Sequence, residues 1–126
     1  MLLVNRDAFE QLVTQALNDL PHEFARKMTN VDIVVEGWPT QDQVRLAGLQ
    51  PGMTLFGLYQ GIPQTKRLNY SMALPDKITI FSGPIIFFSQ SNPEQIKAKV
   101  RETVLHEIGH HFGMSDAEIY KAQKDK

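Results

Sequence analysis

Residues 106 to 116 read HEIGHHFGMSD, placing three histidines and two carboxylates within eleven residues. On a helix, His106 and His110 stand four residues apart and project from one face, one turn from each other. Two imidazoles so placed suit a single zinc ion at about 2.0–2.1 Å from each nitrogen. Glu107 lies about 100° round the helix from His106. That offset keeps it out of the ligand set while leaving it able to reach a water at the metal as general base.

Two histidines do not complete such a site, because catalytic zinc takes three protein ligands and keeps one position open. A helix continued past Phe112 would carry later side chains away from the histidines. Gly113 can take a positive φ, turn the chain sharply and bring Asp116 back with a third oxygen ligand. The spacing HExxHxxGxxD therefore predicts His106, His110 and Asp116 as metal ligands and Glu107 as the catalytic base. Asp116 also has the residue type and place of an N-cap for a last helix, and Glu118 is a substitute ligand if Asp116 only caps. His111 lies about 100° from His110 and projects between Val100 and Val104, which predicts a core or supporting histidine. His22, alone after Pro21, reads as a surface residue.

The bulk composition narrows the chemistry. The chain has 126 residues, 42% of them hydrophobic, and the expectation is one domain, 1–126. It contains no cysteine, so disulfides, thiolate ligands and cysteine nucleophiles are excluded and a metal must be held by nitrogen and oxygen. Thirteen basic and fourteen acidic residues give a net charge of -1, so no overall field draws the chain to nucleic acid. The opening MLLVNRDAFE has only a short apolar run, far from a signal-peptide core, and no run approaches the roughly 18 apolar residues of a membrane span. A cytoplasmic protein with neither a membrane nor a nucleic-acid partner is expected.

The elements that must position the site follow from periodicity and punctuation. Phe9, Leu12, Val13, Ala16, Leu17 and Leu20 recur at helical spacing, with Asn5 as a cap and Pro21 as the stop. VDIVVEG (31–37), TLFGLYQG (54–61) and KITIFSG (77–83) read as strands; Gly57, inside the second, marks a bulge or a close approach by another backbone. The stretch PTQDQVRLAGLQPG is a connection with at most one helical turn, IPQTKRLNYSMALPD a long loop, and PIIFFS is open between strand and helix. The last long helix is the best defined: Asn92 caps it, Pro93 takes its first position, Glu94 suits its positive end and Gln95 offers a capping-box-like partner. Ile96, Val100, Val104, Leu105, Ile108 and Phe112 form its inward sector, with the paired histidines outside it. DAEIYKAQ adds a final short helix from a Ser115/Asp116 cap. The order of elements predicts an α+β fold with a small mixed sheet of three or four strands, an N-terminal helix and a long C-terminal helix carrying the site.

With these residues in place, the chain resembles the minimal zincin family of small bacterial zinc metallopeptidases. The resemblance rests on LFGLYQGIPQTKR (55–67), LPDKITIFSGPI (74–85) and VRETVLHEIGHHFGMSD (100–116), in that order. It implies a stripped-down zincin fold with the active helix across a small mixed sheet. It also implies one zinc ion on His106, His110 and Asp116, and Glu107 as the base. Larger metzincins place a methionine-containing turn beneath the metal; here the ten residues after Asp116 hold no methionine.

The activity implied is zinc-dependent hydrolysis of a peptide or protein substrate lying extended along a sheet edge, with Thr54 to Tyr59 as the candidate edge. Tyr59, Tyr70 and Arg67 are alternatives for oxyanion support, with nothing to choose between them. Two other classes share the residues. A metal-dependent RNA-processing hydrolase is disfavoured by the near-neutral charge, by Asp in the third ligand position and by Glu107 following the first histidine. A non-catalytic metal-binding or interaction module would be favoured by a closed site with no exchangeable water, or by inertness towards unfolded peptides with zinc bound.

Overall fold

The computed structural model describes residues 4–49, 54–61 and 75–124. Among them are six helices and three strands: α1 (Arg6–Asn18), α2 (His22–Lys27), β1 (Val31–Glu36), α3 (Gln41–Leu46), β2 (Gly57–Gln60), β3 (Asp76–Phe81), α4 (Ser82–Phe88), α5 (Pro93–His111) and α6 (Asp116–Lys124). The α+β expectation is met, with a long helix near the C-terminal end and a small mixed sheet. No helix among the described residues is long and apolar enough to cross a membrane.

The sheet order is β1-β3-β2, with β1 parallel and β2 antiparallel to β3. The centre falls to β3 because its residues bury on both faces. Ile78 and Ile80 turn into the main core, while Phe81 joins Leu55 and Leu58 in a smaller cluster. A strand wrapped on both sides needs hydrogen-bonded neighbours on both edges, and β1 and β2 supply them. Tyr59 pairs with Ile78 and Gly57 with Ile80, which leaves β2 as one edge of the sheet among the described residues.

α5 is the hub of the packing, in contact with α1, α2, α4, α6, β2 and β3. Its buried residues Ile96, Val100, Val104, Leu105 and Ile108 fall in the predicted inward sector and meet Phe9, Val13 and Ala16 of α1. Phe112, expected in the same sector, stays half-exposed because the helix ends before it. Asn92 accepts from the Gln95 amide at 3.1 Å, as expected of a cap. The reciprocal half of the capping box is replaced by the Asn92 amide donating to Ser89 O at 3.0 Å.

Local readings changed where tertiary contacts decide. Pro21 ends α1 but also starts α2, whose Phe24 is fully buried. PIIFFS is helical, within Ser82–Phe88. The second strand is shorter than its sequence suggests, four residues rather than eight. The reason for Gly57 is visible: a Cβ there would lie 2.5 Å from Thr103 Cγ2 of α5 and 3.2 Å from Thr79 O. The glycine lets α5 settle onto β2.

Gly57→Ala should therefore destabilise the protein by about 1–3 kcal/mol through overpacking, which outweighs the fraction of a kcal/mol that alanine gains over glycine in a strand. Adding Thr103→Ser removes the clashing methyl and keeps the hydroxyl that donates to Lys99 O at 2.7 Å. Denaturant unfolding should show the double variant recovering much of the loss. Strictly additive effects would mean that the two residues do not meet as described.

Candidate metal centre

The end of α5 and the start of α6 are joined by two capping motifs in succession. Gly113 has φ +81, its amide donates to His110 O at 3.0 Å, and the Met114 amide donates to Gly109 O at 2.8 Å. That is the Schellman arrangement, in which a left-handed residue closes the last carbonyls of a helix. Immediately after, Ser115 Oγ accepts from the Glu118 amide at 3.2 Å and Glu118 Oε1 accepts from the Ser115 amide at 3.0 Å. Ser115 is therefore the cap of α6, and the reciprocal bonds to Ser115 hold Glu118 below the ordinary carboxylate range. These bonds answer the question over Asp116. It is the first residue of α6 rather than its cap, and Glu118 spends its carboxylate on Ser115.

Asp116 turns back onto α5. His110 Nε2 donates to its Oδ1 at 2.7 Å, and His106 Nδ1 lies 3.6 Å from the same oxygen. One ligand atom from each of the three residues lies within 4.8 Å of the others. Three donors around one zinc stand roughly 3.3 Å apart in tetrahedral geometry. The triad thus fits a metal with adjustments of about an ångström, and its nitrogen and oxygen donors are the types zinc accepts. The His110 hydrogen bond, with the two imidazole charges beside it, holds Asp116 below its usual range although the carboxylate is well exposed. His110 is exposed as well and His106 half-buried, so a metal here would keep a side open to solvent.

The close approach of α6 depends on the glycine inside the motif. A Cβ at Gly109 would lie 2.5 Å from both Cδ1 and Cγ1 of Ile119, which is fully buried. Asp116 stands one turn before Ile119 on α6, and His106 one turn before Gly109 on α5. The contact of Ile119 with Gly109 sets how close α6, and with it Asp116, stands to α5.

Glu107, next to His106 on α5, reaches toward β2. Its Oε1 accepts the Tyr59 amide of β2 at 2.9 Å. Burial pushes its carboxyl above the ordinary range; the Tyr59 hydrogen bond and the charges of His110 and His106 pull it back only in part. Among the described residues Glu107 Oε2 has no hydrogen bond, so one carboxylate oxygen is anchored and the other can exchange a proton.

Tyr59 takes a different part from the one its residue type suggested. Its hydroxyl donates to Asp76 Oδ2 at 2.6 Å, and its ring stacks on His111 at 3.9 Å between centroids, 18° from parallel. His111 Nε2 lies 3.9 Å from Asp76 Oδ2. Of the two expectations for His111, core or supporting residue, the second fits: it is exposed, sits at the last residue of α5 and braces the Tyr59 ring. The support given to Glu107 by the Tyr59 amide, and to Tyr59 by Asp76, is invisible to pattern reading, since it arises only when β2, β3 and α5 meet. His22 is exposed, as expected. Tyr70 and Arg67, the other oxyanion alternatives, lie outside the described residues.

Comparison with known proteins agrees with this geometry. A conserved hypothetical protein from Thermus thermophilus has a similar fold, with a TM-score of 0.53 at 23% identity over 86% of this chain and 94% of that one. No curated protein matches. The family model for zincin-like metallopeptidases matches residues 28–125, a span that contains the sheet, α5, the Schellman turn and the whole of HExxHxxGxxD. The chain belongs to the zincin-like metallopeptidase family.

Proposed function

We propose that the protein is a zinc-dependent metallopeptidase, with His106, His110 and Asp116 holding the metal and Glu107 as general base. The observation that carries this reading is the pairing at the end of α5 of three converging ligand-type atoms with an anchored, partly buried carboxylate beside the histidines. Zinc in that position supplies Lewis acidity toward water and toward a substrate carbonyl. Binding it through His110 Nε2 replaces the hydrogen bond from that nitrogen to Asp116, and a neutral imidazole bound in this way carries its proton on Nδ1.

Glu107 performs the proton transfers. Its Oε2 takes a proton from the attacking water while Oε1 stays on the Tyr59 amide. The resulting hydroxide adds to the carbonyl carbon, and Glu107 hands the proton to the amine as the C–N bond breaks. A carboxyl raised above its ordinary value holds a proton more readily during this exchange than a solvated one. The substrate is an extended peptide or protein segment along the β2 edge, next to Glu107. The open, solvent-facing ligand set favours catalysis over a closed structural site, and the net charge of -1 favours peptide over RNA.

Elemental analysis after zinc loading should find one ion per chain. Competition with a chromogenic chelator should find affinity weakened on the order of 100-fold in Asp116→Ala. Equal affinity in the variant would remove Asp116 from the ligand set.

Glu107→Gln should retain zinc and lose hydrolysis of a peptide pool by about 10²–10⁴-fold. Turnover that survives would sink the base assignment. The same substitution should stabilise the metal-free protein at neutral pH, because glutamine can still accept from Tyr59 and carries no buried charge. A carboxyl whose folded pKa exceeds its unfolded value costs stability once pH has risen through both, and costs nothing below the unfolded one. A gain in Tm on the order of 2–5 °C at pH 7 should therefore fade below pH 4.5. A gain independent of pH would point to some cause other than the charge.

A further inference from the structure

Beside Glu107 and His106 a groove of about 200 Å³ runs along α5 toward its N-terminal end, walled on the other side by the residues leading into β2. Leu49, Leu55 and Phe56 give it an apolar lining, and Gly57 and Thr103 keep it shallow where the helix meets the strand. Its far end holds two charges of opposite sign, Lys99 and Glu102. They are not equivalent.

The Lys99 ammonium sits 4.2 Å from the centroid of Phe56 and 4.7 Å from that of Phe88, whose rings meet edge to face. Its side chain is only 16% exposed, so it is partly desolvated and held in one place by two aromatic faces. Its partner Glu102, 3.3 Å away, is 51% exposed. An i,i+3 pair of this kind is worth only a few tenths of a kcal/mol. Glu102 can swing into water at little cost, whereas Lys99 stays where the rings hold it. An ammonium has three donors, and among the described residues this one meets a single half-exposed carboxylate and two ring faces.

We propose that this groove is a carboxylate-accepting subsite of the peptide site, with Lys99 as its specificity anchor. An incoming carboxylate takes the place of Glu102 on the ammonium while the aliphatic part of the bound residue lies on Leu55 and Phe56. Lys99 is seven residues before His106, about 10 Å along the helix. An extended peptide rises about 3.3 Å per residue, so the anchored group belongs within three residues of the scissile bond. The carboxylate is that of an acidic side chain or of a peptide C-terminus; both offer the same chemistry. The inference rests on the peptidase reading for the role of the groove, but not for its binding of a carboxylate.

The test uses acetylated, amidated alanine-background peptide pools carrying one Glu or one Gln, and a third pool with Gln and a free C-terminus. Cleavage is measured with zinc-loaded protein, and binding by fluorescence anisotropy with zinc-loaded Glu107→Gln. About tenfold preference for Glu over Gln in both readouts is expected, erased by Lys99→Met and enlarged by Glu102→Gln, which removes the competing carboxylate. Preference for the free C-terminus, with the same response to both substitutions, assigns the subsite to terminal carboxylates. Cleavage without any carboxylate preference, or a preference that survives Lys99→Met, overturns the subsite and leaves the peptidase reading standing. Lys99-dependent binding without cleavage overturns the peptidase reading and leaves the subsite. With neither cleavage nor carboxylate-selective binding, both fall.

Discussion

Ile119 occupies the space that a side chain at residue 109 would fill, and the place of Asp116 follows from that contact. Helices normally keep their axes 8–10 Å apart because side chains stand between them. Here one helix presents glycine and the other a fully buried isoleucine, so α6 can lie against α5 at the level of the histidines. The Schellman turn at Gly113 and the reciprocal Ser115–Glu118 cap fix the direction of approach. Together they leave Asp116 neither a cap nor a solvent-facing helix residue, but a carboxylate 2.7 Å from His110. The carboxylate proposed as the third ligand is brought to the histidines by a short turn and helix.

The same helix serves two electrostatic purposes because its faces differ in burial. The Asp116 side is exposed, and there hydrogen bonding from histidine keeps the carboxylate ionised, as a ligand must be. The Glu107 side is partly buried against β2, and burial raises the carboxyl, as suits a group that takes and returns a proton. Two carboxylates nine residues apart are driven in opposite directions by their surroundings, in the sense that the proposed roles of ligand and base require. The separation depends on Gly57, which admits α5 close enough to the edge strand for the Tyr59 amide to reach Glu107.

Elements governed by local chemistry were legible in the sequence. The Asn92 cap, Pro93, the inward stripe of α5 and the glycine stop announced the long helix, and HExxHxxGxxD announced the triad that converges in space. Residues governed by tertiary contact were not legible. Helical projection leaves His111 open between core and support, and only the helix end at that residue and its stack on Tyr59 decide for support. Asp76 reads as the tail of a loop, and only the register of β3 against β2 brings it to the Tyr59 hydroxyl. A short apolar run such as PIIFFS carries no period long enough to separate helix from strand. Gly109 is the instructive intermediate. Its presence in the motif is plain, but its purpose appears only when Ile119 is seen against it.

The most direct test of this arrangement is zinc affinity in a double-mutant cycle between Gly109 and Ile119, read by chelator competition at neutral pH. Alanine at 109 gains about 1 kcal/mol of helix propensity, so the helix itself should not suffer. It should nevertheless weaken zinc binding by about tenfold or more, because Ile119 must move and carry Asp116 with it. Ile119→Ala alone should weaken binding by loosening α6. The double variant should bind zinc far better than the two losses combined would allow, since the smaller side chain at 119 makes room for the new methyl. Unchanged affinity in Gly109→Ala, or losses that simply multiply, would contradict the claim that this contact sets the third ligand.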